Sequence, residues 1–342
     1  MSRLRIVVVG AGAWGKNHVR TVAGLPEAEL AAVCDLDATR RDALSRQYPG
    51  SLITDDLDAA LDVADAVVVA TSAVSHHDVA LAVLARGLPT LVEKPFALSV
   101  ADAEDMAARA EAGDVPLLVG HLLLFHPVVE HLREMVGAGE LGTPYYLYSQ
   151  RVNLGQVRPD ENALWSFGPH DISVALYLLG ESPVRVTAHG HSYLQPGIED
   201  VVFLTMEFAS GVMAHVQMSW LDPHKERRLT VVGSRRMAVF DDMQPREKLK
   251  IFDKGISRPP EYRSYGESLS VREGDISIPL VPNVEPLGAE LRHFIAVARG
   301  EETPRSDARH GVEVVRVLEA AASSLKQGGA GVDLAAAEEG AR

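Results

Sequence analysis

Cysteine is almost absent from this 342-residue sequence, which contains Cys34 alone. One thiol cannot form an intrachain disulfide framework or a multi-cysteine zinc site, and it fits a reducing compartment. No apolar run approaches the roughly 20 residues of a membrane-spanning helix, and the stretch 115–125 is interrupted by Pro116 and His121. The chain runs directly into Ile6–Val9 without the pattern of a secretory signal. These absences predict a cytoplasmic protein with no membrane partner.

Positive charge is also in deficit. Lys and Arg number 33 against 47 Asp and Glu, so the formal net charge is −14 at pH 7. Affinity for a nucleic-acid backbone depends on neutralising phosphates with cations, and the composition therefore predicts no nucleic-acid partner. Hydrophobic residues make up 46% of the chain, which suits about two domains of roughly 100–200 residues each.

Residues 1–121 have the pattern of an α/β domain. Apolar runs without polar alternation are typical of strands buried on both faces, as in a parallel sheet covered by helices. The predicted strands are Arg5–Val9, Glu29–Cys34, Ala66–Ala70, Thr90–Val92 and Leu117–Val119. The predicted helices between them are Lys16–Ala23, Ala38–Gln47, His76–Arg86 and Ser99–Ala112. This alternation predicts a doubly wound parallel sheet of the Rossmann type.

Residues 122–342 have a different pattern, in which apolar and polar residues alternate and short turns join neighbouring runs. Such alternation indicates an antiparallel sheet with one packed face. The predicted strands are Tyr145–Arg151, Val184–Gly190, Val201–Phe208, Val212–Trp220, Arg227–Val232 and Met237–Asp241. The predicted helices are His126–Val136, His170–Leu179, Gly288–Arg299 and Ala308–Leu325. We therefore expect residues 122–342 to form a C-terminal α+β domain with a mostly antiparallel sheet.

A glycine motif follows the first predicted strand. Gly10, Gly12 and Gly15 have the spacing G-x-G-x-x-G and open the first predicted helix. Gly10 permits the tight turn, Gly12 lets the backbone approach a pyrophosphate, and Gly15 allows helix and strand to pack closely. The helix N-terminus then offers N–H groups and a positive dipole end to the phosphates. With Ala13 and Trp14 these residues form the candidate cradle, although the glycines could also serve a packing turn alone.

Asp35 ends the second predicted strand, and 35 − 15 = 20 residues separate it from Gly15. Its carboxylate can accept hydrogen bonds from both hydroxyls of an adenosine ribose and would repel a 2′-phosphate, which favours NAD over NADP. The nearby Arg40 and Arg41 weaken that preference. FAD and S-adenosylmethionine use similar cradles, and Asp35 could instead cap the next helix. The residues that follow favour NAD.

Two residues have the chemistry of alcohol oxidation. Lys94, in Glu93-Lys94-Pro95, follows the fifth predicted strand at the sheet edge where α/β proteins bind ligands. Its ammonium can stabilise a developing alkoxide. His170 near a helix start can take up a hydroxyl proton, because histidine has an ordinary pKa of about 6.5. Each residue alone could also be a surface or structural group.

Taken in order, several motifs resemble the Gfo/Idh/MocA family of oxidoreductases over nearly the whole chain. The resemblance implies Lys94 as the strand-end lysine and His170 as the acid/base histidine, both in contact with substrate. It also implies a Rossmann domain over residues 1–121, followed by a substrate-binding and oligomerisation domain with an open sheet, and a homodimer or homotetramer built through that sheet. The motifs are Gly10–Gly15, Asp35, Thr71-Ser72-x-x-x-His76, Glu93-Lys94-Pro95 and the Gly168-x-His170 helix that closes at Leu179-Gly180. The cofactor-binding candidates then include Thr71, Ser72, His76, Glu93 and Lys94.

One position departs from the pattern that the resemblance implies. Many relatives have an aspartate four residues before the histidine, where this chain has Ser166. A serine can bind substrate by a hydrogen bond or cap the helix, but it supplies no negative charge. Asp171 is adjacent to His170, yet neighbouring helical residues point about 100° apart, so it is a poor substitute.

A polar stretch before the His170 helix has the character of a substrate loop. Arginines there could hold a carboxylate or diphosphate, and asparagines could bind sugar hydroxyls. The candidates are Arg151, Asn153, Arg158, Asn162 and Trp165. A second basic group comprises Lys225, Arg227, Arg228, Arg235 and Arg236, and it could equally be a solvated strand edge.

The remaining histidines do not have the spacing of a metal site. His121, His126 and His131 recur every five residues, which does not place them on one helical face, and the sequence predicts no metal. His121 follows a predicted strand and is a candidate for lining the nicotinamide pocket, or else a satisfied half-buried residue.

The polar stretch together with Trp165 resembles the branch of this family that is associated with nucleotide-activated sugars. This resemblance implies NAD-dependent oxidation of a secondary ring hydroxyl, at C3 of a sugar attached to a nucleotide diphosphate, with Lys94 and His170 as the reactive pair. The alternatives are an inositol or free-sugar dehydrogenase, a ketosugar reductase that uses NAD(P)H, and a non-catalytic NAD-binding redox regulator.

Overall fold

The computed structural model describes residues 2–159, 161–257 and 270–334. Strands and helices alternate in the N-terminal part, as predicted. The strands are β1 (Leu4–Val9), β2 (Ala28–Cys34), β3 (Leu52–Thr54), β4 (Ala66–Val69), β5 (Thr90–Glu93) and β6 (Leu117–Gly120). The helices are α1 (Gly15–Gly24), α2 (Ala38–Gln47), α3 (Leu57–Leu61), α4 (His76–Leu84) and α5 (Val100–Gly113).

These strands form one six-stranded sheet in the order β3-β2-β1-β4-β5-β6, and every pair is parallel. The order reverses between β1 and β4, which is where doubly wound sheets open a crevice for a ligand. All four residues of β4 are fully buried, because helices cover both faces. The predicted Rossmann sheet is confirmed. Only β3 and α3 were not predicted, because both are short and β3 is partly exposed.

The central part of the chain has two helices, α6 (Pro127–Gly137) and α7 (Ala163–Leu179). Its longer strands are β7 (Pro144–Leu154), β8 (Pro183–His191), β9 (Val201–Phe208), β10 (Met213–Ser219), β11 (Leu221–Gly233) and β12 (Met237–Asp241). Shorter strands are β13 (Leu249–Phe252), β14 (Gly255–Ser257), β15 (Ser270–Arg272) and β16 (Ile276–Ser277).

A nine-stranded sheet dominates this part, in the order β16-β13-β12-β11-β7-β10-β9-β8-β17, where β17 is Val332–Asp333. Its pairs are antiparallel except that β7 and β10 run parallel. Buried and exposed residues alternate along β9, and α7 packs against β7, β9 and β10. The predicted open, mostly antiparallel sheet is therefore confirmed.

The helix predicted to begin at His170 begins at Ala163 instead. Gly168 and Pro169 look like a helix start in the sequence, but both lie inside α7. The N-cap is Asn162, whose side chain accepts a hydrogen bond from the N–H of Trp165 at 3.1 Å. The cap interpretation of Ser166 is therefore wrong.

The chain ends its described part with α8 (Pro286–Ala298), α9 (Ala308–Lys326) and β17. It divides into two compact units, Met1–Phe125 with Val284–Arg316, and His126–Asn283 with Val317–Arg342. The predicted single boundary after residue 121 differs from this division, because α8 returns to the first unit and buries Leu291 and Phe294 in its core. No helix in the described ranges is long and apolar enough to cross a membrane.

Candidate active site

The glycine motif forms a turn that only glycine tolerates at two of its positions. Gly10 has φ +89°, and a Cβ there would lie 2.7 Å from the carbonyl oxygen of Ala70. A Cβ on Gly15 would lie 2.1 Å from the carbonyl oxygen of Gly10. The space above Gly12 is open by comparison, since the nearest atom in the described part of the chain is Arg40 Nη1, 3.9 Å from an added Cβ. This cradle fits a dinucleotide pyrophosphate at the N-terminus of α1.

Asp35 links the end of β2 to the glycine turn. Its side chain is buried, and it accepts hydrogen bonds from the N–H groups of Ala11 at 2.7 Å and Asp37 at 2.8 Å. Arg40 Nη1 lies 3.5 Å from the carboxylate. The alternative in which Asp35 caps the next helix is wrong, because Asp37 caps α2. A carboxylate held at this edge of the cradle fits the ribose hydroxyls of NAD.

Arg41 points away from that carboxylate. Its guanidinium donates to the Asp35 carbonyl oxygen at 2.8 Å and pairs with Asp55 at 2.8 Å. Of the two arginines that follow Asp35 in the chain, Arg40 is therefore the one whose charge lies beside the Asp35 side chain.

Glu93 gathers three groups around one buried carboxylate. It accepts a hydrogen bond from the Trp14 indole at 2.5 Å, lies 2.7 Å from His18 Nε2, and accepts from the backbone N–H of Lys94 at 3.0 Å. Burial disfavours the carboxylate, but the hydrogen bond to His18 and the positive charge of Lys94 outweigh this effect, so the pKa of Glu93 is lowered. The carboxylate thus fixes the cradle residue Trp14 and the Lys94 backbone to the same point.

Lys94 follows β5 at the carboxyl edge of the sheet, and the Lys94–Pro95 peptide is cis. His76 lies behind this turn, with Nδ1 2.9 Å from the Pro95 carbonyl oxygen, and burial lowers its pKa. Thr71 and Ser72 follow β4, and the Thr71 hydroxyl accepts from Ser75 at 2.9 Å. These predicted cofactor residues therefore lie at the same sheet edge, where His76 supports the backbone of the Lys94 turn.

His121 follows β6, whose Gly120 is in register with Glu93. It is 1% exposed, and neither ring nitrogen has a hydrogen-bond partner among the described residues. Its ring meets His310 edge to face, with centroids 5.4 Å apart. Burial, together with repulsion from His310 and Lys94, holds the pKa of His121 well below its ordinary value, and burial lowers the pKa of His310 to about 4. Two neutral imidazoles therefore lie near the strand-end lysine.

Neither His18 nor His310 was predicted from the sequence to belong to the site. His18 follows Trp14 by four residues on a helix, which is one helical turn, and this spacing could have suggested a shared partner. His310 is remote from His121 in the chain, and no local pattern connects the two.

In the second unit, His170 is half-buried in the middle of α7, and its carbonyl oxygen accepts from the Ser173 hydroxyl at 2.9 Å. Ser166 is buried one turn earlier and donates its backbone N–H to the Asn162 carbonyl oxygen. Asn162 caps α7 and donates to Glu199 at 2.6 Å. Both ends of the Asn162 side chain are thus engaged within the protein, contrary to its expected role in binding sugar hydroxyls.

The predicted substrate arginines differ in their surroundings. Arg151 forms an ion pair with Asp171, with Nε 2.5 Å from Oδ2, and both side chains are nearly buried. Its guanidinium is therefore engaged inside the unit rather than offered to a ligand. Arg158 is half-exposed and pairs with Glu161 at 2.7 Å. The second basic group is largely neutralised, as in the ion pairs Arg228–Glu226 and Arg236–Glu140.

The two other predicted substrate residues lie on either side of the loop, Asn153 in β7 and Trp165 in α7. Asn153 is partly buried, and its Oδ1 has no hydrogen-bond partner among the described residues. Trp165 is partly buried in the first turn of α7, where the Asn162 cap fixes its backbone.

Two models of one protein family match the chain in sequence. The model described as an oxidoreductase family with an NAD-binding Rossmann fold matches residues 4–121, and the one described as the GFO/IDH/MocA C-terminal domain matches residues 129–239. Inositol 2-dehydrogenase 2 of Saccharopolyspora erythraea is 32% identical over 224 residues, which are 63% of this chain and 66% of that protein.

Solved structures with the same architecture extend the match to nearly the full chain. UDP-N-acetylglucosamine 3-dehydrogenase GnnA from Acidithiobacillus ferrooxidans is 25% identical with a TM-score of 0.81, covering 96% of this chain and 99% of that one. GenD2 from gentamicin A biosynthesis, solved in complex with NAD, is 25% identical with a TM-score of 0.81, covering 98% of this chain and 97% of that one. The glycine cradle, the two matched domains and these relatives all indicate the same family. The chain belongs to the GFO/IDH/MocA family of NAD-dependent sugar and polyol dehydrogenases, oxidoreductases that act on CH–OH groups.

Proposed function

We propose that this protein uses NAD to oxidise a secondary ring hydroxyl, at C3 of a sugar attached to a nucleotide diphosphate. The observation that best supports a dehydrogenase site is the Glu93 carboxylate, which holds both Trp14 of the cradle and the backbone N–H of Lys94. It anchors the strand-end lysine beside the cofactor cradle, where an ammonium can meet an alcohol oxygen.

The chemistry needs one hydrogen-bond donor and one base from the protein. Lys94 donates a hydrogen bond to the substrate oxygen and stabilises the negative charge that develops there. His170 accepts the hydroxyl proton on an imidazole nitrogen. Bound NAD supplies the acceptor for the hydride that leaves the carbon bearing this hydroxyl. The C–H and O–H bonds break as a C=O bond forms, so the substrate loses two electrons and two hydrogens.

The loop before α7 supports the choice of substrate class. Arg158 is half-exposed and pairs with Glu161, three residues further along the same loop. A diphosphate would compete for that guanidinium with two negative charges instead of one, and arginine binds phosphate oxygens in a bidentate manner. The relative named UDP-N-acetylglucosamine 3-dehydrogenase acts on such a substrate, as its name states.

A polyol or a free sugar is the second candidate substrate. It is favoured by the 32% identity to a protein named inositol 2-dehydrogenase. The same residues would serve ketosugar reduction, because the reverse reaction uses the same proton and hydride positions. Membership in an oxidoreductase family argues against the non-catalytic regulator.

The test is turnover at 340 nm with NAD or NADP against UDP-sugars, the matching free sugars and inositols. We expect UDP-sugars to give the highest kcat/KM, and a higher value for inositol would overturn the substrate class. Lys94→Met and His170→Asn should each lower kcat by roughly 10²–10⁴-fold. The affinity for NAD, measured by calorimetry, should persist in His170→Asn. Lys250→Met, which replaces a partly exposed lysine of β13, is the matched control.

We also propose that two copies pair through the exposed face of the nine-stranded sheet. Tyr146 and Tyr148 stack with centroids 6.3 Å apart and are 45% and 38% exposed. Phe203 of β9 and Met213 of β10 extend this face with apolar side chains and are 41% and 49% exposed. An apolar patch of this kind is typical of an interface between subunits. Sedimentation analysis should give a dimer or tetramer, and Phe203→Glu should give monomers; a monomeric parent protein would refute the pairing.

A further inference from the structure

The turn of α7 that carries His170 has weak support from its own helix. Gly168 and Pro169 directly precede it, and Pro169 lies inside the helix. Proline has no N–H to donate to the carbonyl four residues earlier, and its ring crowds that carbonyl. Glycine in a helix interior adds a further cost in conformational entropy. The direction of the His170 side chain therefore depends on contacts from outside the helix.

Asp171, the next residue, provides such a contact. Its carboxylate takes two bonds from the Arg151 guanidinium, Nε to Oδ2 at 2.5 Å and Nη2 to Oδ1 at 3.3 Å. The two side chains are 12% and 9% exposed, so water screens the pair weakly. A two-point contact fixes both the distance and the orientation of the two groups. Asp171 is thereby held in one geometry relative to Arg151.

Arg151 is itself on a rigid support. It lies in β7, which has β10 on one side and β11 on the other, and its register partners are Met218 and Arg227. A central strand with neighbours on both sides is among the least mobile parts of a domain. The ion pair therefore ties the His170 turn to the middle of the nine-stranded sheet.

We propose that Arg151 is a positioning residue, which acts through Asp171 to hold His170 in the orientation that accepts the substrate proton. This inference rests on the proposed function, because it assigns His170 the role of base. A nearly buried ion pair is no strong source of stability, since apolar residues of similar volume often replace such pairs at no cost. The geometry it imposes on the weakened turn is the reason to expect a functional role.

The experiment separates positioning from stability with two variants. Arg151→Lys keeps the charge but loses the two-point contact. The double variant Arg151→Met/Asp171→Leu removes both charges and leaves neither partner buried and unpaired. We expect the double variant to melt close to the parent protein but to have a kcat about 10–100-fold lower, because small misplacements of reacting groups have effects of this size. The kcat of Arg151→Lys should lie between that of the parent protein and that of the double variant.

Two measurements identify the step that is affected. The KM for the sugar substrate should change by less than about threefold, because an orientation needed in the transition state lowers kcat and leaves substrate binding alone. The Kd for NAD should be unchanged. The matched control is Arg185→Met, which breaks the exposed Arg185–Asp333 pair between β8 and β17 of the same sheet, and it should retain the parent kcat.

A readout without substrate keeps this proposal distinct from the proposed function. The Cε1–H signal of His170 in an NMR spectrum, assigned from its loss in His170→Asn, should move in the double variant and stay in place in Arg185→Met. If the double variant has both the kcat and the melting temperature of the parent protein, or if the His170 signal does not move, the pair is merely structural and the proposal is overturned. If Arg151→Lys raises KM at unchanged kcat, Arg151 binds substrate directly and the proposal is equally wrong. Absence of turnover with every substrate would refute the proposed function, while the NMR comparison would still decide the positioning role.

Discussion

Replacing His310 by phenylalanine should change how the stability of the first unit depends on pH. His310 packs edge to face against His121, and burial lowers its pKa to about 4. The variant keeps a planar ring for that contact and removes the titratable group. The predicted effect therefore concerns the pH dependence of the unfolding free energy more than its value at neutral pH.

The sign follows from the lowered pKa of the folded protein. An unfolded histidine has a pKa of about 6.5 and takes up a proton as the pH falls below that value, whereas folded His310 stays neutral until about pH 4. Between these values the unfolded chain binds more protons, so stability falls as the pH falls. Since one pKa unit corresponds to about 1.4 kcal/mol, the full difference is about 3 kcal/mol, of which about 2 kcal/mol is reached at pH 5.

Urea unfolding at pH 7.5 and pH 5 measures this difference. Trp14 reports on the first unit when Trp165 and Trp220, which lie in the second unit, are replaced by phenylalanine in both proteins. From pH 7.5 to pH 5 the unfolding free energy of His310→Phe should rise by about 2 kcal/mol relative to that of the protein with His310. Titrating groups that do not interact with His310 contribute equally to both proteins and cancel. The reasoning would be refuted if the two proteins differed in unfolding free energy by the same amount at both pH values. It would also be refuted if an NMR titration of His310 were centred near the ordinary pKa of histidine.

Three further predictions concern the cofactor cradle. Glu93→Gln leaves one buried donor without an acceptor, because an amide accepts through one atom only. It should lower the unfolding free energy by about 1–3 kcal/mol, as measured by melting. It should also lower the affinity for NAD, as measured by calorimetry. Gly10→Ala should abolish NAD binding, since its Cβ would meet backbone; Gly87→Ala, which has a positive φ but nothing within 4 Å, is the control and should bind NAD normally. Asp35→Ser should raise the ratio of kcat/KM for NADP over NAD by about tenfold or more, because Arg40 Nη1 then faces a 2′-phosphate without the carboxylate. An unchanged ratio would mean that Asp35 does not select the cofactor.

Most of the architecture was predictable because it depends on neighbouring residues. The strand β4 is four apolar residues in a row, and such a run is stable only when it is buried on both faces. Alternation along β9 identified a strand with one packed face, and its bounds match the prediction. The predicted helix boundary was wrong where local signals conflict. In α7, Gly168 and Pro169 resemble a helix start but lie within a helix that Asn162 caps.

What the sequence determined by itself was the set of elements and the glycine cradle, since hydrophobic periodicity and backbone sterics act over a few residues. The tertiary structure alone decided which distant polar groups share a buried environment. It joined Trp14 and His18 to Glu93 and paired Arg151 with Asp171 rather than with a ligand. The physical reason is that a buried charge or donor needs a partner, and which partner it finds depends on the packing of elements far apart in the chain.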